Sequence, residues 1–437
     1  MSIVLKFGGS SLTIDGFKLI KNKISELKDY KIIIVLSAIN KTTNNLINFS
    51  NDHFKLLEEI RIEHLNIIQK LKINPDLFID DYKKLLDLYN RKDKDDYLDK
   101  VNIISYGEIL STKILSEYLK LNKINNELID AKDIIFTDNN YNNMSFTKFK
   151  MKGSFSCNLN KLNKNDCNVK ITQGFIASTK NSYPCLLSRG GSDTTASLIA
   201  AGIKAIRLEI WTDVDGLFSC DPNIIKNAKL IKETNYKICQ SISALGAKVL
   251  HPYCIKPCKE KNIPIYIKNS KNPNNNKYTL INNKYNNKYN NKDNNNNNIF
   301  LTKRENIHLL DIRSLDMWNN YGILNDIFSK FTLYEVDVDI IVTSPFNISC
   351  TINDNKNINN LINNLINYKV KYIENLNIIS IITNNIINID ITNIIIKYNN
   401  DIHIINYSSD KLSLSYVVNS NIANDFLQEL HNKLIEN

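Results

Sequence analysis

A lysine two residues ahead of a glycine pair, at the end of an apolar run, has the parts of an anion site. In "IVLKFGGSS" (3–11), Gly8 and Gly9 let the backbone approach a phosphate, and amides of the turn or the following helix start point at it. Lys6 adds a fixed positive charge for a transferring phosphoryl group. The GxxxxGK[ST] spacing of a P-loop is absent, and a glycine pair after a strand is as often only a tight turn.

A second pair raises the odds. In "SRGGSDTTA" (188–196), Arg189, Gly190, Gly191, Ser192 and Asp193 sit at a strand-to-helix junction. The plain reading of Ser192 is a helix cap. Arg189 offers a fork for a carboxylate, and Asp193 either orients Lys6 or binds near a metal. The chain has only 12 glycines, so composition gives no reason for two adjacent pairs at strand ends. "WTDVDGLFSCDPNIIKNAKLI" (211–231) places Thr212 and Asp213 at a strand end, before a glycine turn and Asp-Pro. "ISALGAKVLHP" (242–252) puts Lys248 on a helix that His251-Pro252 ends, where a lysine is ordinarily solvated. In "ISYGEILSTKIL" (103–114), Glu108 starts a helix, and the ordinary role of such a residue is a helix-end carboxylate.

These residues need a scaffold. At 437 residues and 43% hydrophobic content, the chain has enough material for two or three domains. The runs 3–7, 31–38, 185–189 and 205–213 are continuously apolar and read as buried strands. Residues 53–120 are helical in pattern, and "SLIAAG" (197–202) reads as a helix end capped by Gly202. Strands interleaved with helices predict an α/β fold with a largely parallel sheet. The Asn-rich run 272–300 cannot bury enough apolar surface to fold alone and reads as a linker or expanded loop. Beyond it, strands and helices follow an order that fits two βαββαβ units, suited to regulation or dimerisation and without a catalytic constellation.

The net charge of +10 is spread widely and accompanies heavy use of Asn, Ile, Lys and Tyr, residues with AT-rich codons, so nucleic acid is not the expected partner. No run reaches the ~18 apolar residues of a membrane span, and no signal peptide is expected at the start. The eight cysteines have no zinc spacing and read as reduced packing thiols of a cytoplasmic protein.

The ordered set "KFGGSS", "VLSAINKTTN", "SYGEILST", "ITQGFIA", "SRGGSDTTA", "WTDVDGLFSCDP", "NAKLI" and "GAKVLHP" resembles the aspartokinases of the amino acid kinase family. The resemblance continues into a tail similar to the paired ACT domains of the lysine-sensitive type. It implies a three-layer α/β/α sandwich with a mainly parallel sheet over 1–270, a linker at 271–300, and two ferredoxin-like α+β ACT domains over 301–437. The implied reaction moves the ATP γ-phosphoryl group to the side-chain carboxylate of L-aspartate, with Mg²⁺ bridging the phosphates. This is the entry step to lysine, threonine and methionine. By motif position, Lys6, Phe7, Gly8, Gly9, Thr212, Asp213, Phe218 and Lys248 would surround ATP. Ser37, Thr43, Glu108, Arg189 and Ser192 would hold aspartate, with Lys6, Asp193 and Lys248 at the reacting centre. Met317, Asn320, Gly322, Leu324, Val338, Asp339 and Ser344 fall where relatives bind lysine, and the ACT domains would form a homodimer or a tetramer.

Four positions depart from the family pattern. Phe218 replaces the usual Tyr, and Asn223 replaces an Arg after Asp-Pro, which predicts weaker ATP binding. Asp337 and Pro345 replace Ser and Glu, which predicts weak or lost feedback by lysine. The alternatives are another amino acid kinase, or a decayed chain kept as an amino acid sensor. The retained Lys6, Glu108, Arg189 and Asp193 argue against the sensor. A fused dehydrogenase is not expected, since no GxGxxG region follows.

Overall fold

The computed structural model describes residues 1–47, 53–91, 97–137, 155–163, 167–187, 190–247, 250–283, 298–318, 320–384, 386 and 389–436. They form two compact units, 1–217 with 230–240 and 248–292, and 218–229 with 241–247 and 293–437.

The first unit is built on an eight-stranded sheet. Its strand order is Glu233–Thr234, Tyr278–Ile281, Ile265–Asn269, Arg207–Thr212, Ser2–Phe7, Lys31–Leu36, Val169–Gln173, Glu127–Ile129. All neighbours run parallel except Ile265–Asn269 with Tyr278–Ile281. The central strand is apolar on both faces because both are covered. Ile3, Leu5 and Phe7 pack with Phe17 and Ile20 of the helix Ile14–Glu26 and with Ile104 and Leu110 of the helix Tyr97–Leu121. Strand alternation turns Lys6 to the opposite face, toward the helix Gly191–Gly202. The result is three layers, with Lys6 paired in register to Val35 and Ile210.

Several local expectations need correction. Glu108 does not start a helix; it lies in the middle of Tyr97–Leu121. Gly202 is the last residue of its helix, and the cap is Ile203. A Cβ at Gly202 would stand 2.8 Å from Leu159 Cδ2, so close packing rather than capping requires the glycine. His251-Pro252 opens a helix instead of ending one. The preceding helix stops at Ala244, and His251 caps Pro252–Lys261 by accepting the Tyr253 N–H, with Pro252 at the tolerated first position. The run at 185–189 contributes Pro184–Leu186, but to a separate four-stranded sheet with Ile176–Thr179, Ile135–Thr137 and Phe155–Cys157. Tyr278–Ile281, inside the expected linker, is a strand of the main sheet. Residues 284–297 of that stretch lie outside the described residues.

The second unit is a single six-stranded antiparallel sheet in the order Val338–Thr343, Asn347–Asn353, Phe300–Arg313, Lys369–Ile382, Ser413–Asn419, Ile402–Tyr407. Helices Ile323–Leu333, Ile358–Asn364 and Thr392–Lys397 lie between the strands in sequence, and Ala423–His431 follows the last strand. The βαββαβ order holds over 300–382, but the two modules share their central strands. Phe300–Arg304 pairs with Ile378–Ile382, and Ile307–Arg313 pairs with Lys369–Leu376. Near the middle of each long strand an asparagine, Asn306 (φ 57°) or Asn375 (φ 58°), takes the left-handed conformation that asparagine tolerates well. Each half has its own core, Leu310, Ile327, Phe331 and Leu361 in one and Leu301, Ile381, Phe426 and Leu427 in the other. Among the described residues, no helix is long and apolar enough to cross a membrane.

Candidate active site

The site is assembled where strands of the first unit end. Lys6, 8% exposed, reaches from Ser2–Phe7 to Asp193 in the first turn of Gly191–Gly202, with Nζ 2.6 Å from Oδ1. The contact is an ion pair without the alignment of a directed hydrogen bond. Of the two roles open to Asp193, the geometry supports orienting Lys6. A chain lysine held in one place by a carboxylate needs little further ordering to act on an anion.

The glycines serve close packing of loops more than free amides. The Gly8 N–H donates to the Trp211 carbonyl at 3.1 Å, and Phe7 stacks on Trp211 with ring centroids 5.8 Å apart. A Cβ on Gly9 would lie 2.6 Å from the Ala38 carbonyl oxygen and 2.8 Å from that of Asn40. Gly190 has φ +76°, and a Cβ there would meet His251 Cβ at 2.3 Å. Gly174, to which sequence reasoning gave no role, lets the loop after Val169–Gln173 lie against Ser192, 2.5 Å from its would-be Cβ to Ser192 Cβ. Four strand-end loops thus close on one another. Gly9→Ala is expected to cost about 1–3 kcal/mol through forced loop displacement, seen as a lower urea midpoint.

Glu108 is another buried ionisable group, 3% exposed. Its helix approaches the 37–43 loop because Gly107 has no side chain; a Cβ there would meet Ala38 Cβ at 2.6 Å. The Thr43 hydroxyl donates to Glu108 Oε1 at 3.0 Å, and Ser111 Oγ donates to the Ser37 carbonyl at 2.8 Å. Glu108 Oε2 is buried without a hydrogen-bond partner. Burial raises the carboxyl to about 8, against the smaller opposing effect of the Thr43 hydrogen bond. A carboxylate oxygen kept dry and unpaired is suited to a cation brought by a ligand.

The other expected residues divide by position. Thr212 Oγ1 donates to Asp213 at 3.2 Å at the end of Arg207–Thr212, and Ser270 Oγ bridges the Thr212 carbonyl and Ser11. Asp215, not singled out from sequence, holds that loop by accepting from Asn269 and Asn275 at 2.7 and 3.0 Å. Phe218, half-buried, falls in the second unit. Arg189 and Lys248 lie outside the described residues. Met317, Asn320, Gly322, Leu324, Val338, Asp339 and Ser344 all belong to the second unit. There Asp339 is ion-paired with Arg304, Ser344 donates to Asn347, and Gly322 (φ +92°) precedes the helix that begins at Ile323. Among the described residues, no group of three or more His, Cys, Asp or Glu side chains converges as metal ligands.

A mainly parallel sheet whose strand ends gather a lysine, a carboxylate and glycine-bared loops is an α/β enzyme-type scaffold with a site suited to a small anionic ligand. The chain belongs to the amino acid kinase family, whose pattern matches residues 1–269. Over 459 residues it is 27% identical to lysine-sensitive aspartokinase 3 of Escherichia coli K12, covering 99% of both chains. It is also 27% identical over 472 residues to the chloroplastic aspartokinase 1 of Arabidopsis thaliana, covering all of this chain and 80% of that one. Among solved structures, it is similar to E. coli aspartokinase III in complex with aspartate and ADP (R-state). The TM-score is 0.82 at 25% identity, covering 99% of this chain and 100% of that one. The Clostridium acetobutylicum aspartate kinase gives a TM-score of 0.75 at 26% identity, covering 99% of each chain.

Proposed function

We propose that this chain is an aspartate kinase, transferring the ATP γ-phosphoryl group to the side-chain carboxylate of L-aspartate. The observation that carries this reading is the Lys6–Asp193 pair at the convergent strand ends, in a chain similar over 99% of its length to an enzyme holding aspartate and ADP. The attacking carboxylate oxygen forms the new bond to Pγ as the bridging β,γ-oxygen bond breaks and ADP leaves. The nucleophile is already an anion, so no general base is needed, and catalysis falls to positioning and charge neutralisation.

In this reading Lys6 neutralises charge on the transferring group, and Glu108 receives the aspartate ammonium through its unpaired oxygen. Ser37, Thr43, Ser192 and Arg189 complete the aspartate site, with Arg189 on the α-carboxylate. Phe7, Gly8, Gly9, Thr212, Asp213, Phe218 and Lys248 surround the nucleotide. Mg²⁺ travels with ATP and offsets phosphate charge; we assign it no protein ligand. Residues 1–270 would be catalytic and 301–437 regulatory, pairing two copies in a homodimer or assembling a tetramer, and the enzyme would work in the cytoplasm.

A hydroxamate assay with ATP and Mg²⁺ tests the reaction: aspartate should give product and glutamate should not. Product with glutamate alone, or with neither, refutes it. Asn223 spends its backbone N–H and Nδ2 on Asp221 Oδ1, both at 2.9 Å, and offers no charge. Asn223→Arg is therefore expected to lower the KM for ATP by about 3- to 10-fold; an unchanged KM refutes the idea. Pro345 carries no carboxylate, and Asp339 is paired to Arg304. Millimolar lysine should accordingly change the rate by less than about twofold, and strong inhibition would overturn that expectation.

A further inference from the structure

Within residues 1–217 of the first unit, the end of the strand Val169–Gln173 is tied to the helix that carries Glu108. The Gln173 side chain is buried, and the Ala131 N–H donates to its Oε1 at 2.8 Å. A backbone N–H can only donate, so this bond fixes which end of the amide carries the oxygen. Gln173 Nε2 therefore donates to Thr112 Oγ1, at 3.2 Å. The fully buried Thr112 hydroxyl must then spend its own proton on the Glu108 and Ile109 carbonyls, both at 2.9 Å. The chain of hydrogen bonds has one direction, from the Ala131 amide to the backbone of Glu108. The same strand end reaches the rest of the site. The Gly174 N–H donates to the carbonyl of Leu36, the residue before Ser37, at 2.8 Å, and Gly174 lies against Ser192. The Phe175 N–H donates to Thr195 Oγ1 at 3.2 Å, in the helix that carries Ser192 and Asp193.

A hydroxyl that bonds back to the preceding turn adds no stability to a helix interior. Leu110, Leu115 and Ile171 on the same two elements are fully buried, so an apolar pair would pack there as well as Thr112 and Gln173. What the satisfied pair adds is a single arrangement of helix against strand. The head of Glu108 is held by Thr43 and its backbone turn by Thr112, which leaves the unpaired Oε2 one direction to face. We infer that Gln173 and Thr112 are positioning residues that hold the Glu108 carboxylate for the aspartate ammonium. The inference rests on the aspartate role given to Glu108.

The test compares Thr112→Val with Thr112→Ser in the full chain, because valine keeps the shape without the hydroxyl and serine keeps the hydroxyl. The valine variant should raise the KM for aspartate about 10-fold, with kcat and the KM for ATP within about twofold. The serine variant should return the KM for aspartate to within about twofold of the parent. A bond that serves only the fold would lower the urea midpoint of the valine variant and leave that KM alone. An unchanged KM for aspartate, a rise shared equally with ATP, or a serine variant as poor as valine overturns the inference. Gln173→Met keeps the length and loses both hydrogen bonds; it should show the same split and decides the matter if Thr112→Val does not fold. Aspartate binding by calorimetry separates the two readings. If the parent binds aspartate but has no kinase activity, the function fails, and the positioning role stands only if Thr112→Val weakens that binding and Thr112→Ser restores it. A parent chain that binds no aspartate overturns both.

Discussion

Lys6→Met is expected to lower kcat about 10³-fold while leaving the KM for aspartate within about threefold. The substitution keeps most of the stem and removes the charge. In the parent, the ammonium is nearly enclosed and already drawn toward Asp193 at 2.6 Å, so in the proposed reaction it would meet the transferring phosphoryl group without reorganisation. A single preorganised donor at a developing charge is worth about 10²–10³ in rate, and a full charge falls at the upper end. Asp193→Asn should cost less, because the lysine keeps its charge and loses only its guide. Steady-state ADP release measures both variants. A loss below about tenfold for Lys6→Met would remove Lys6 from the reacting centre.

Glu108→Gln should have the next largest effect, and pH reveals its sign. Burial lifts the Glu108 carboxyl from 4.5 to about 8 in the ligand-free chain. Between those values the folded chain keeps a proton that the unfolded chain has released. The parent fold therefore loses stability as pH rises through this window, and the glutamine variant does not. At pH 9 the variant should be the more stable by about 2–4 kcal/mol, with the difference vanishing near pH 4. Catalysis goes the other way. A substrate ammonium at the unpaired Oε2 would ionise the acid, so aspartate binding at pH 7 should release about one proton, seen by calorimetry in buffers of different ionisation enthalpy. The variant should release none and raise the KM for aspartate about 10²-fold. Proton release that survives in the variant would assign it to another group.

Legibility in the sequence followed the range of the interactions. Strand ends announced themselves through continuous apolar runs, and the two glycine pairs marked the turns that Lys6 and Asp193 share. Even so, the reason for Gly9 was invisible, because the Ala38 and Asn40 carbonyls that crowd it arrive from another strand end. Glu108 was misplaced to a helix start since Gly107 breaks the local helical pattern. That glycine exists for the tight contact with Ala38, a tertiary fact. Tyr278–Ile281 was lost in asparagine-rich surroundings because a strand of only four residues carries little periodicity. His251-Pro252 read as a stop, although proline at a first helical position is a start signal. Asp215 sat unremarked inside a quoted motif; it matters through partners 54 or more positions distant.

The two shared strands of the second unit bear on how the chain can be dissected. Each module borrows part of its sheet from a strand that continues into the other, and the crossing points at Asn306 and Asn375 are single residues. Severing the chain at Asn375 would give each fragment an orphan edge with half a ladder of unpaired amides. The pair therefore behaves as one indivisible cassette. A cut at either crossing point breaks both halves at once, because each strand of the central pair serves both.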